Sequence, residues 1–183
     1  MYLGKMFRFF LAFFERICYN KTKKNAPVLS AAVFGGTMPI INVKKLDENA
    51  VLPTYGSEFS AGADLYALCD EEIVFAPNET KFVRTGLAME IPEGYAGLIY
   101  ARSGLACKRG LAPANKVGVV DADYRGEVMV ALHNHSAVEQ KIAPKERIAQ
   151  LVVAPFLKAS FAEAEELSDT VRGEGGFGST GRK

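Results

Sequence analysis

Apolar and polar positions alternate in short runs along most of this chain. Ile40, Ile41, Val43 and Leu46 open the pattern. Val51-Leu52, Ala63–Leu68, Ile73–Phe75, Phe82–Ile91, Tyr95–Tyr100, Val117–Val120, Val128–Leu132 and Ile148–Phe156 continue it. β-Branched and aromatic residues are frequent in these runs, and turn formers such as Ala76-Pro77-Asn78, Pro92-Glu93-Gly94 and Tyr124-Arg125-Gly126 separate them. Many short strands with no long helical repeat between them predict an all-β fold, a jelly roll or sandwich rather than βαβ units. The ends differ from this body. Residues 1–20 set Lys5, Arg8, Glu15 and Tyr19 on one side at helical spacing and crowd Phe9, Phe10, Phe13, Phe14 and Ile17 on the rest, which predicts an amphipathic helix. Residues 21–37 have the Lys-, Gly-, Ser- and Ala-rich composition of a linker. Five glycines in the nine positions 173–181 follow the acidic stretch Glu163–Asp169. So much glycine opposes a regular element and predicts a mobile arm. The expected organisation is an N-terminal extension (1–37), a jelly-roll domain (38–167) and a flexible C-terminal arm (168–183).

Composition narrows the function. With 183 residues and 49% apolar content the chain is long enough to bury a real core. Lys and Arg number 22 against 21 Asp and Glu, so the whole-chain charge gives no case for wrapping nucleic acid. That balance hides an asymmetry: residues 1–37 carry six basic side chains against one acidic, a net of +5, and residues 38–183 carry 16 against 20, a net of −4. A basic amphipathic extension is read either as an organelle-targeting or membrane-surface segment or as untranslated sequence ahead of a start at Met38. The expected location is cytoplasmic, or organellar if the extension is a targeting peptide. No membrane contact is expected of 38–183. Cys18, Cys69 and Cys107 are odd in number and lie in no paired spacing, which argues against a disulfide framework and against a zinc ribbon.

No Gly-rich run matches a P-loop or dinucleotide fingerprint, and no nucleophile elbow is present. His133 and His135 would share a strand face, but no third ligand is near them in sequence. Five polar-glycine clusters at strand ends stand out instead: AGADLYA (61–67), ARSGLA (101–106), NKVGVVDADYRGEVMV (115–130), RIAQLVV (147–153) and RGEGGFGSTG (172–181). Arg102 and Ser103 supply donors, and Gly104 opens the backbone to an anion. The third cluster reads as a strand–turn–strand hairpin bent at Asp121, Asp123 and Tyr124. Taken singly, each has an ordinary explanation as an ion-pair partner, a turn or a disordered tail. Together they suggest more. An arm with Arg172, Phe177, Ser179 and Thr180 suits closure over a phosphorylated ligand with a flat ring: Arg, Ser and Thr take phosphate and Phe177 stacks. Asp121 would repel a polyanion, so it is useful if it deprotonates a water aimed at phosphorus.

In this order and spacing the clusters closely resemble the five motifs of trimeric dUTPases (deoxyuridine triphosphate nucleotidohydrolases), over nearly all of 38–183. The resemblance implies a distorted jelly roll of the β-clip type, a homotrimer with shared active sites, and Mg2+ on the triphosphate of dUTP. It also implies hydrolysis to dUMP and pyrophosphate, which keeps uracil out of DNA and supplies dUMP for thymidylate synthesis. Carried over position by position, Asp121 resembles the carboxylate that activates the attacking water at the α-phosphorus. Tyr124 resembles the residue under the deoxyribose that leaves no room for a 2′-hydroxyl. Asn115 and the backbone around Val119, Val120 and Met129 resemble the uracil reader, with thymine's methyl refused by close packing. Arg102, Ser103 and Gly104 resemble the phosphate-binding turn, and Gln150 its partner from the fourth motif. Arg147 would be structural. Asp64 matches an acidic residue near the metal's water shell, with no metal ligand supplied directly by the chain.

Two departures concern the backbone. Ala101 stands where that family usually has proline, and Lys145-Glu146 replaces a common Gly-Asp. Two other functions are compatible with the architecture: a dCTP deaminase, alone or combined with diphosphatase activity, and a non-catalytic nucleotide-binding module. The full Asp-x-Asp-Tyr segment and the Phe-containing arm favour the diphosphatase.

Overall fold

The computed structural model describes residues 39–176. The chain divides into two units, Met1–Ile40 and Ile41–Lys183, and the architecture below is that of the second. The helix expected over 1–20 and the linker over 21–37 lie outside the described residues, as do Phe177, Ser179 and Thr180 of the arm.

Eleven strands and one short helix make up the body: β1 (Asn42–Lys45), β2 (Thr54–Tyr55), β3 (Ala63–Tyr66), β4 (Ile73–Phe75), β5 (Thr80–Glu90), β6 (Tyr95–Tyr100), α1 (Ser103–Arg109), β7 (Leu111–Pro113), β8 (Gly118–Val120), β9 (Glu127–Asn134), β10 (Gln140–Ile142) and β11 (Arg147–Pro155). They form a four-stranded sheet β1-β5-β9-β7, a five-stranded sheet β2-β3-β11-β6-β8 and the pair β10-β4. Every pairing is antiparallel, giving a jelly-roll-like all-β fold.

The period-2 pattern builds the core directly. Along β9, Val128, Val130, Leu132 and Asn134 point inward while Met129, Ala131 and His133 point outward. Val128, Val130 and Leu132 meet Val83 and Leu87 of β5, Leu65 of β3, and Ile148 and Leu151 of β11 in one cluster. Each such aliphatic side chain contributes roughly 1.5–3 kcal/mol on burial. Asn134 is the polar residue of the inward set. Its amide donates to the carbonyls of Phe75, Ala76 and Val138 at 3.1, 3.1 and 2.8 Å, and its Oδ1 accepts from Ser136 N and Oγ at 2.9 and 2.7 Å. This buried amide ties the four-stranded sheet to the β10-β4 pair.

β5 carries a bulge. Its register with β9 runs from Thr80↔His133 to Arg84↔Met129 and resumes only at Ala88↔Glu127. Gly86 makes the irregularity possible at φ +69°, where a Cβ would lie 2.6 Å from Leu68 Cδ2 and 2.8 Å from Ala50 Cβ. Glu127 fills the gap, accepting from Gly86 N at 2.8 Å and from Arg84 Nε at 3.1 and 3.2 Å.

Three expectations need correction. ARSGLA is no isolated turn but opens α1, which carries Lys108 and Arg109 in its last turn and ends on Gly110 at φ 70°. Segment 115–130 is no paired hairpin: β8 belongs to the five-stranded sheet through β6, whereas β9 belongs to the four-stranded sheet. Strand–turn–strand signals are local, and pairing partners are not. No strand forms at Val51-Leu52, and three short strands, β2, β7 and β10, join sheets where no alternating run marks them.

Candidate active site

Splitting β8 from β9 opens a cleft between them. β8 lies at the edge of its sheet, paired only with β6 among the described residues. On the β7 side of β9, pairing ends at Pro113↔Leu132 with one further bond from Ala114 N to Ala131 O at 2.8 Å. Over Glu127–Val130 that side of β9 therefore has no strand partner among the described residues, although the Glu127 carbonyl accepts from Tyr124 Oη. Between these edges lies a cavity of about 260 Å3 that gathers Asn115, Val119, Val120, Asp121, Tyr124 and Met129. This is small beside the roughly 300–1,000 Å3 that encloses a whole ligand, so it suits one end of a nucleotide.

The connecting loop is held by its own side chains. Tyr124 N donates to Asp121 O at 3.2 Å, and Tyr124 Oη donates to Glu127 O at 3.0 Å. Arg125 Nη1 donates to the carbonyls of Ala122 and Tyr124 at 2.6 and 3.0 Å, and its Nη2 lies 3.5 Å from Glu90 Oε1. Asp121 and Tyr124 stay exposed at the mouth. Two glycines of the 115–130 cluster, not among the candidate site residues, keep the site open. A Cβ on Gly118 would lie 3.3 Å from Asn115 Nδ2 and from Ile99 Cβ, and one on Gly126 would lie 2.6 Å from Tyr124 Cζ. Phe82, Ile99 and Glu127 also line the cleft without having been singled out.

A second cluster centres on Asp64, which is only 3% exposed. Its Oδ1 accepts from Arg102 Nε at 2.8 Å and Gln150 Nε2 at 3.5 Å, and its Oδ2 accepts from Arg147 Nη1 at 3.2 Å. The register explains the meeting, since Gln150 lies opposite Asp64 on one side and Tyr100 on the other. Two guanidiniums compensate a desolvated carboxylate that would be costly alone. Asp64 thereby fixes Arg102, the residue preceding α1. Ser103 and Gly104 follow in the first turn, whose leading N–H groups have no acceptor within a helix. Nothing lies within 4 Å of a Cβ on Gly104, so that backbone is open to approach.

The two clusters sit at opposite ends of β6. Val120 faces Gly97, so Asp121 is level with the start of that strand, while Arg102 lies beyond its end at Tyr100. Six residues of extended chain separate the levels by about 20 Å. None of Arg102, Ser103, Gly104 or Gln150 lines the cleft.

Other sequence candidates fall elsewhere. The rings of His133 and His135 meet edge to face at 4.3 Å, and His133 Nδ1 bonds Thr80 Oγ1 at 2.8 Å. Desolvation first, then the neighbouring His133 and Lys116, push the His135 pKa down. Among the described residues no three His, Cys, Asp or Glu side chains group as a metal site. Arg172 Nε donates to Gly175 O at 2.6 Å. Residues 156–176 contain no strand or helix, and Leu157, Phe161 and Leu167 are almost wholly exposed.

A family model described as dUTPase matches residues 48–181. The deoxyuridine 5'-triphosphate nucleotidohydrolase of Nautilia profundicola is 49% identical over 142 residues, covering 78% of this chain and 99% of that protein. The chain belongs to the dUTPase family. Among solved structures, the Staphylococcus bacteriophage 80alpha dUTPase with dUPNHPP matches with a TM-score of 0.72 at 31% identity, covering 79% of this chain and 99% of that one. A variant of the dUTPase from phage phi11 of S. aureus, described with a coordinated structural Mg(II) ion, matches with a TM-score of 0.65 at 26% identity, covering 72% and 100%.

One departure from the usual dUTPase pattern gains a physical account. Lys145 has φ 61°, a left-handed conformation that glycine adopts without a Cβ penalty. Next to it, Glu146 accepts from Arg109 Nη1 at 2.5 Å and from Ala143 N at 2.9 Å, so an acid still closes the turn before β11.

Proposed function

We propose that this dUTPase-family chain hydrolyses dUTP to dUMP and pyrophosphate with Asp121 as general base, at sites assembled from more than one copy of a homotrimer. The observation that carries the reading is the cleft between the free edges of β8 and β9, with Asp121 and Tyr124 at its mouth. Peptide groups of β8 and β9 that no strand pairs match the donor–acceptor edge of uracil. Cytosine presents its amino group where uracil has an acceptor, so donors would face donors, and such buried mismatches discriminate strongly. Asn115 adds an amide at the same cleft. The Tyr124 ring packs where a deoxyribose fits and a 2′-hydroxyl does not. Asp121 accepts a proton from water as the water oxygen bonds to the α-phosphorus and the bond to the bridging oxygen breaks, releasing pyrophosphate.

The triphosphate needs a grip that the cleft lacks. Arg102, Ser103, Gly104 and Gln150 have the chemistry for it, but along β6 about 20 Å separates Arg102, and about 13 Å separates Gln150, from the level of Asp121 of the same chain. A copy of the chain that presents its Arg102 end to another copy's Asp121 end resolves the mismatch, which supports the shared site. The exposed apolar residues of 156–171 and the arm residues Arg172, Phe177, Ser179 and Thr180 are proposed to cover the bound nucleotide, Phe177 on the base and the others on phosphate.

The donor set fits Mg2+ carried by the substrate. No carboxylate cluster competes for the ion among the described residues. Asp64 is almost wholly buried and already accepts from three donors, so it could meet a metal-bound water only at its one remaining acceptor position. When bound, Mg2+ neutralises charge on the triphosphate.

Hydrolysis of dUTP in 18O-labelled water tests the chemistry: label is expected in dUMP, and label in pyrophosphate overturns attack at the α-phosphorus. Mixing Asp121→Asn chains with Arg102→Ala chains, each inactive alone, should restore activity by subunit exchange; no recovery despite exchange overturns the shared site. Ammonia release from dCTP would overturn the substrate assignment.

A further inference from the structure

We propose that Phe82 is a specificity-determining residue, the wall of the cleft that excludes a substituent at C5 of the pyrimidine ring. This rests on the cleft being the base site. Uracil and thymine offer the same hydrogen-bonding edge and differ by one methyl group. Backbone edges that read donors and acceptors therefore cannot separate them, and only volume can. A stiff side chain has to occupy the space that the methyl would need.

Phe82 has that property. Along β5 the inward Val83 is fully buried, while Phe82 is 70% exposed on the outer face beside Thr80 and Arg84. An aromatic ring is out of keeping with polar neighbours on an exposed sheet face. Its register partner across the ladder is Ala131, too small to hold the ring, and Met129 sits diagonally, opposite Arg84. The ring instead lines the cleft with Val119 and Met129. Of these three, Met129 is unbranched and adaptable, so it yields to an added methyl. Val119 is short and sits on β8, an edge strand. Phe82 is rooted on β5, an interior strand paired on both sides by β1 and β9. Rigid anchoring makes it the wall.

The test compares kcat/KM for dUTP, 5-fluoro-dUTP, 5-bromo-dUTP and dTTP in the full chain and in Phe82→Ala and Phe82→Leu. In the wild type, efficiency should fall as the 5-substituent grows. Phe82→Ala should raise the dTTP-to-dUTP ratio by at least about 10-fold, within the roughly 10–200-fold that one methylene commands in a tight pocket. Phe82→Leu should fall between. An unchanged ratio in Phe82→Ala with a wild-type melting temperature overturns the proposal. If Phe82→Ala does not fold, an unchanged ratio in Phe82→Leu does so. A wild type that turns over dCTP as readily as dUTP overturns the base-site reading itself, a result distinct from either.

Discussion

The cleft between β8 and β9 and the cluster around Asp64 hang from opposite ends of β6 and solve recognition in opposite ways. The cleft presents main-chain edges framed by the apolar side chains of Phe82, Val119 and Met129, with the polar side chains of Asn115, Asp121, Tyr124 and Glu127 beside them. The Asp64 cluster presents side-chain charge, two guanidiniums and an amide set by one buried carboxylate. A flat neutral ring is read by its edge, so two splayed strands suffice. A polyanion needs positive charge fixed in advance, because flexible cations would lose entropy on binding. On the proposed function, separation of these tasks would leave each chain with two half-sites.

Substitutions at the two regions should behave differently. The largest effect is expected from Asp121→Asn, which should lower kcat by about 10²–10⁴-fold while dUTP binding persists, as titration calorimetry would show. Unchanged turnover would remove Asp121 from the chemistry. At the other end, Asp64→Ala should cost about 2–3 kcal/mol in urea unfolding. That is below the ~3–5 kcal/mol of a fully buried broken pair, because the half-exposed Arg147 reaches water. A wild-type urea midpoint would show the carboxylate to be dispensable. Gly126→Ala should act on the cleft alone, displacing the Tyr124 ring, raising KM for dUTP roughly 10-fold and weakening rejection of UTP. An unaltered UTP-to-dUTP ratio would separate Tyr124 from sugar selection. The smallest effect belongs to neither region: Lys145→Gly should stabilise the fold by about 0.5–1 kcal/mol with kcat unchanged, since the left-handed cost exceeds glycine's entropy cost. A lower melting temperature would contradict that account.

Much of the fold was legible along the chain because β4 and β6 carry their strand pattern locally, and Ile73–Phe75 and Tyr95–Tyr100 coincide with observed elements. Helix α1 was not, because seven residues burying only Leu105 show no helical period, although Lys108-Arg109-Gly110 is an end signal. β7 and β10 owe their strand form to partners distant in sequence. At the site, the motif residues from Asn115 to Met129 converge because the loop between the sheets is short. The distance between Asp121 and Arg102 was hidden, since it depends on β8 running antiparallel to β6. Asn134 was equally hidden: at the end of an alternating run it looks like a turn residue, and its fully buried amide appears only once five hydrogen bonds from four residues surround it.

The proposed main-chain reading of the base has a practical consequence for inhibition. Replacing Val119 or Met129 changes a side chain but leaves the pattern of peptide N–H and C=O groups in place. A compound that mimics the base's polar edge would thus be difficult to escape by single replacements, short of a proline that deletes a donor and with it the natural substrate's own hold.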